Sequence, residues 1–123
     1  MKRFYKHKRR KYLKGEICKI NKTIWRSEIK EAMAREIIDR DDTEIEAKQK
    51  KIKDLEDYIK TEKEKKEINL DYIETMIKQK EELKGQIENL EKHKQEALGE
   101  VNGLVNEQQG AEMAISIIIR MMK

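Results

Sequence analysis

The sequence predicts an all-α fold: a long coiled coil or elongated helical bundle, with a shorter N-terminal helix and a basic N-terminal arm. Three observations predict it. The 123 residues include no proline, and 44% of them are charged while only 5% are aromatic, which favours long helices over a thick globular core. An apolar seven-residue repeat keeps one register across residues 45–118. Positive charge is concentrated in residues 1–14, which carry eight Lys or Arg and no acid.

The basic arm, residues 1–14, is expected to be flexible and to end at Gly15. Its cations are dense enough to neutralise several phosphates, and its aromatic side chains are suited to stacking on bases. We therefore predict a nucleic-acid-binding site made of Lys2, Arg3, Phe4, Tyr5, Lys6, Lys8, Arg9, Arg10, Lys11, Tyr12 and Lys14. Contact with another polyanion and a solvated tail are the alternatives. A helix lying on a membrane is disfavoured, because the charges would encircle it.

Residues 15–41 are predicted to form an amphipathic helix. Trp25, Ile29 and Met33 recur every four residues and so share one face. We expect this face to pack on the coil that follows. The alternative is that Trp25 is exposed and anchors a partner.

A long helix is predicted over residues 42–98, beginning where Thr43 and Glu46 have capping-box spacing. Residues 99–123 are predicted to form an apolar helix that glycines interrupt. Gly99, Gly103 and Gly110 each lower helix propensity by about 1 kcal/mol relative to alanine. The helix is therefore expected to continue, kink or turn in this segment.

The seven-residue repeat has Ile45 at position a, and it predicts self-association. Ile at a with Leu at d favours a parallel two-stranded coil. Apolar residues at position e, such as Ile77, widen the stripe and indicate a further neighbour, so a dimer or a higher homo-oligomer is expected. The predicted oligomer interface contains Ile45, Ile52, Leu55, Ile59, Ile73, Met76, Leu83, Ile87, Leu90, Val101, Leu104, Ile115 and Ile118.

The sequence contains no constellation that indicates catalysis, a metal site or a cofactor site. His7 and His93 have no Cys or carboxylate at metal-ligand spacing, and the single Cys18 has no partner histidine nearby. A glycine-rich phosphate loop is also absent. We therefore expect a protein that is not an enzyme and binds no cofactor or small molecule. With no apolar run of about twenty residues, no membrane association is expected, and the expected location is the cytoplasm.

The chain resembles small orphan proteins of phages and mobile elements from low-GC Gram-positive bacteria. The Lys/Ile/Glu-rich texture, the small size and the ending QQGAEMAISIIIRMMK carry this resemblance. Such proteins include scaffolding and assembly factors, DNA-associated accessory proteins and inhibitors of host defence nucleases such as anti-CRISPR proteins. The resemblance implies a phage protein acting in the host cytoplasm.

Three functions are therefore expected, in descending order. The first is a coiled-coil homo-oligomer that presents basic arms to nucleic acid or another polyanion. The second is an inhibitor or adaptor that binds a nucleic-acid-binding protein such as a host defence nuclease. The third is a scaffold or assembly protein in which the helices set spacing.

Overall fold

The computed structural model describes residues 2–123 of the chain, and the side chains of residues 6–123. It is all-α, which confirms the predicted fold class, and it contains two helices. Helix α1 spans Lys2–Lys63, helix α2 spans Leu70–Met122, and residues 64–69 connect them. The chain divides into two compact units. The first unit combines the part of α1 up to Arg35 with Leu98–Lys123, and the second unit is Glu36–Ala97.

The predicted segment boundaries are wrong at three places. The segment 1–14 is helical from Lys2 onward rather than a flexible arm, and α1 continues through residues 15–41 and 42–63 without a new start. Thr43 is not an N-cap, because its hydroxyl donates a hydrogen bond to the Asp39 carbonyl one turn earlier, at 3.0 Å. The expected long helix over 42–98 is interrupted by residues 64–69.

The C-terminal segment continues α2, which is one of the three outcomes expected for it, and the predicted boundary at residue 99 is absent. Helix α2 passes through Gly99, Gly103 and Gly110 without interruption. Glycine is unfavourable in a helix mainly through backbone entropy, and this cost is offset where a neighbouring helix packs along the segment. Such packing is present here, since Val101 between the first two glycines is buried.

The end of α1 is stabilised by charge. Lys60 and Lys63 lie in its last turn, where cations favour the carbonyl end of a helix. Glu62 is buried and forms an ion pair with Lys65, with 2.9 Å between Oε2 and Nζ. This contact lowers the pKa of the Glu62 carboxyl and raises the pKa of the Lys65 ammonium. Glu62, which the repeat predicts at a d position inside a coiled coil, therefore lies at the end of α1 and stabilises the turn.

The start of α2 is a side-chain cap. The Asn69 Oδ1 accepts a hydrogen bond from the Tyr72 backbone N–H at 3.1 Å, and the Asn69 carbonyl accepts one from Ile73 N–H at 3.1 Å. Asp71 places an acid in the first turn, where the partial positive charge of the helix terminus favours it. Asn69, which the repeat predicts at position d of a continuous helix, is therefore the N-cap of α2.

In the second unit, α1 and α2 pack antiparallel as a helical hairpin. Three contacts show this direction, because residues later in α1 contact residues earlier in α2. They are Asp41 Oδ2 to His93 Nδ1 at 2.5 Å, Lys48 Nζ to Gln86 Oε1 at 2.9 Å, and Glu56 Oε1 to Lys80 Nζ at 3.0 Å. A neighbouring pair joins Asp42 to Lys94 at 2.6 Å, and it raises the pKa of Lys94. These pairs fix the register of the hairpin.

The first unit is also an antiparallel helix pair, and its centre is a partly buried polar layer. The buried Ser27 hydroxyl donates to the Leu104 carbonyl at 3.3 Å. The Gln108 side-chain amide donates to Ser27 Oγ at 3.2 Å and to Glu31 Oε1 at 3.1 Å. Arg35 completes the layer with a 2.8 Å contact to Glu31 Oε2. A shift of register would break the contacts of Ser27 and Gln108 across the two helices, so the layer specifies one alignment.

Burial follows the predicted seven-residue register throughout. With Ile45 at position a, every a and d residue of α1 from Leu13 to Glu62 is buried or half-buried. The same holds for every a and d residue of α2 from Ile73 to Met122. Between them, positions 66 and 69 are exposed in the connection. The repeat thus begins at Leu13, about thirty residues before Ile45, the predicted start.

The predicted oligomer interface lies between the two helices of one chain. Each of its thirteen residues is buried or half-buried at an a or d position of α1 or α2. Their first partner is therefore the other helix of the same molecule, because the turn brings the second half of the repeat back onto the first. Contact of the same residues with a second copy stays a prediction.

Replacing Asn69 by alanine should destabilise the protein by about 1 kcal/mol, since α2 loses its N-cap. The measurement is the free energy of unfolding from urea titration followed by circular dichroism. Asn106→Ala is the matched control: it removes an exposed amide from the middle of α2, where alanine is the better helix former. Equal losses in the two variants would contradict the capping role.

The Glu31 layer should make stability depend on pH. The hydrogen bonds from Arg35 and then Gln108 hold the pKa of the Glu31 carboxyl below its ordinary value. The unfolded chain therefore binds this proton more readily, so the stabilisation is present above the ordinary pKa and is lost as the pH falls through the lowered one. In urea titrations, Glu31→Gln should be less stable than the wild type near neutral pH, and the difference should vanish in acid. The exposed Glu28→Gln is the control.

Candidate polyanion-binding site

Cations from both ends of the chain meet at one end of the first unit, which we call the basic end. Helix α1 contributes six of them, helix α2 contributes one, and Lys123 directly after α2 contributes the last; all eight side chains are exposed. Neither residues 6–14 nor residues 113–123 contain an acid. The side chains that define the basic end are Lys6, Lys8, Arg9, Arg10, Lys11, Lys14, Arg120 and Lys123.

At the basic end, a buried leucine of α1 and a hydrogen bond from α1 to the end of α2 contribute to the packing of the two helices. Leu13 is only 6% exposed and occupies the first buried position of the repeat on α1. Arg10 Nη2 donates to the Met122 carbonyl at 3.5 Å, where α2 ends and its carbonyls carry partial negative charge. A hollow of about 150 Å³ lies beside them, and its lining includes Lys6, Arg9, Arg10, Leu13, Met121, Met122 and Lys123.

The electrostatics of the basic end are one-sided. The first turn of α1 has no acid, although the N-terminus of a helix carries partial positive charge that acids would offset. The cations of α1 are exposed in the same region, so like charges accumulate. This arrangement costs stability in the free protein, and an anionic ligand would relieve it.

Most of the predicted nucleic-acid residues lie in this cluster. Tyr12 is 66% exposed and follows Lys8 by one helical turn, so a base stacked on its ring would have a cation beside its phosphate. The side chains of Lys2, Arg3, Phe4 and Tyr5 lie outside the described residues.

Sequence reasoning missed Arg120 and Lys123, which lie more than a hundred residues away from the arm. The signal available in the sequence was that residues 113–123 contain no acid. The seven-residue repeat could also have indicated that this segment packs against residues 1–14. That pairing becomes visible only when α2 is known to run back along α1.

The predicted packing of Trp25 is wrong. Trp25 is 63% exposed and Met33 61% exposed, with Ile29 also exposed between them, so this face of α1 points to solvent. The repeat explains why, since Ile24 occupies position a and is half-buried, which places Trp25 on the outer side. Trp25, Ile29 and Met33 therefore form a second apolar stripe, which is exposed to solvent. The single cysteine, Cys18, is also exposed.

Leu13→Ala should detach the basic end without unfolding the protein. The truncation removes the buried contact at the first position of the repeat and should cost about 2 kcal/mol locally. Hydrogen exchange of the backbone amides of residues 6–14 should accelerate by tenfold or more, as expected for local opening. Leu70→Ala, which alters an exposed leucine, is the control and should leave these amides unchanged. Unaltered exchange in Leu13→Ala would contradict the described docking.

Other kinds of site are not found in the part of the chain that the structure describes. It contains no group of three or more His, Cys, Asp or Glu placed to hold a metal ion. Neither described helix has a stretch long and apolar enough to cross a membrane. No family model, curated protein or solved structure matches the chain. The case for a function therefore depends on the charges and geometry of the basic end.

Proposed function

We propose that the protein is a non-enzymatic homo-oligomer that contacts nucleic acid, or another polyanion, through its basic end. As its resemblance implies, we place it among phage accessory proteins that act in the host cytoplasm. The observation that carries the proposal is the collection of cations from both chain ends with no acid in either segment.

Phosphate chains suit the basic end for two physical reasons. Each lysine or arginine that meets a phosphate releases condensed counterions, and this release supplies most of the affinity of non-specific binding. The arginines also offer forked donors that match phosphate oxygens, and Arg9 and Arg120 add this geometry from two different helices. Exposed Tyr12 provides a stacking surface that favours unpaired bases.

Association of several copies would strengthen this contact. A single cluster of this kind binds weakly at physiological salt, while linked clusters on one nucleic acid raise the effective concentration of the second contact. The half-buried seam of the second unit supports association, because its apolar side chains keep part of their surface in water.

A second candidate function is an inhibitor or adaptor that binds a host defence nuclease, as anti-CRISPR proteins do. The observation that favours it is the exposed stripe Trp25, Ile29 and Met33, whose four-residue spacing is typical of a helix that docks in an apolar groove. Trp is also the residue type most often found at the energetic centre of an interface. A scaffold or assembly role is the third candidate.

Neutralising the basic end should weaken nucleic-acid binding strongly. The variant Arg9→Gln/Lys11→Gln/Lys14→Gln leaves Arg10 and Leu13 in place and should lose about three phosphate contacts. Its affinity for a labelled oligonucleotide, measured by fluorescence anisotropy, should fall at least about tenfold near physiological salt. The slope of log affinity against log salt should decrease in magnitude by about 2 to 3.

The matched control removes the same charge elsewhere. Lys50→Gln/Lys53→Gln/Lys60→Gln neutralises three exposed lysines of α1 in the second unit and should change the affinity little. Absence of nucleic-acid affinity in the wild type, or equal losses in both triple variants, would contradict the proposal. Trp25, the single tryptophan, separates the candidates: a protein partner on its face shifts its emission to the blue, whereas nucleic acid on the basic end does not.

A further inference from the structure

A groove lies between α1 and α2 in the second unit. It has a volume of about 370 Å³, and its floor includes the half-buried side chains of Leu55 and Leu83. Tyr58 stands beside this floor and is 61% exposed. Charged groups at the groove are Lys51, Asp54 and Glu82. Within the described residues, none of these three charges takes part in an ion pair, so all three are available to a partner.

The groove is open because two helices alone cannot enclose the seam of the repeat. Ile52 and Ile59 on α1 and Ile87 on α2 are only half-buried, although they occupy a positions where a coiled coil or bundle normally has its core. No side chain among the described residues is fully buried. Apolar surface left in water at this seam costs free energy roughly in proportion to its area, so further helices packed on it would stabilise the unit.

We propose that the occupant of this groove is a second copy of the chain, whose second unit packs on it to form a four-helix bundle. This inference rests on the homo-oligomer part of the proposed function, and it assigns the surface through which two copies associate. A second copy fits because it brings an identical open groove, so one contact covers both seams at once. Tyr58 then supplies a large aromatic contact at little cost in side-chain entropy.

Charge complementarity selects the arrangement of the two copies. The contacts of Lys48 with Gln86 and of Glu56 with Lys80 place Lys51 at the level of Glu82 and Leu83. A two-fold axis parallel to the helices lays α1 of one copy over α2 of the other. Lys51 then meets Glu82 of the second copy, and symmetry repeats the pair. The other choice, an axis across the helices, lays α1 on α1 and leaves Glu82 without a cation.

The first test compares two exposed tyrosines by light scattering over a dilution series. Tyr58→Ala removes the aromatic contact in the groove, and Tyr12→Ala removes a tyrosine of similar exposure in the first unit. The wild type and Tyr12→Ala should have the mass of two chains, while Tyr58→Ala should dissociate at a concentration at least about tenfold higher. Because Tyr58 is exposed, circular dichroism should show both variants folded. A monomeric wild type, or equal behaviour of both variants, overturns the inference.

The second test is a charge swap at the predicted pair. Lys51→Glu and Glu82→Lys each turn two attractions into two repulsions, so each should weaken the dimer about tenfold at low salt. The double variant restores opposite charges and should recover most of the affinity. Single variants without effect, or a double variant that is weaker than either, overturn the assigned pairing. Emission of Trp25 should stay constant on dilution, and a shift would assign the interface to the outer face of the first unit instead.

These outcomes are independent of nucleic-acid binding. A monomer that still binds oligonucleotides through the basic end would remove this inference and leave the polyanion contact standing. A dimer that dissociates in Tyr58→Ala but has no affinity for nucleic acid would support the groove and remove the polyanion contact.

Discussion

The reversal at residues 64–69 is the constraint on which the rest of the structure depends. A seven-residue apolar repeat is a surface that needs a partner, and the turn supplies that partner from the same chain. Glu62 and Lys65 close the end of α1, and Asn69 begins α2. An intramolecular partner has a high effective concentration and is therefore engaged before any second copy. The surface left for a second copy to contact is the part of the seam that the two helices do not cover.

Polar pairs then decide which residues of the two helices lie opposite each other. Leu, Ile and Ala along a seam pack adequately in several registers, but a buried hydroxyl or carboxylate is satisfied in only one. Ser27 with Gln108 specifies the alignment of the first unit, and Asp41 with His93 specifies that of the second. The same alignment brings Arg10 to the end of α2, so the basic end is a consequence of register.

The heptad register was predictable because it depends only on the spacing of residue types. The turn was missed, although Glu62, Lys66 and Asn69 are three consecutive polar positions of the repeat, the only such run between residues 45 and 118. Isolated lysines at position a can extend their ammonium groups into water, whereas three polar layers in succession leave too little apolar contact to hold a helix pair together. The face of Trp25 was misassigned because steps of three and four fit two neighbouring faces of one helix.

By itself, the sequence determined the all-α class, the register of the repeat and the concentration of cations near the N-terminus. Each of these depends on local composition or on spacing along one helix. Only the tertiary structure decided that the repeat pairs within one chain, that Arg120 and Lys123 lie near the cations of residues 6–14, and that Trp25 faces solvent. These outcomes depend on which distant residues pack together, because the free energy of covering one helix face depends on the surface that a second helix brings to it.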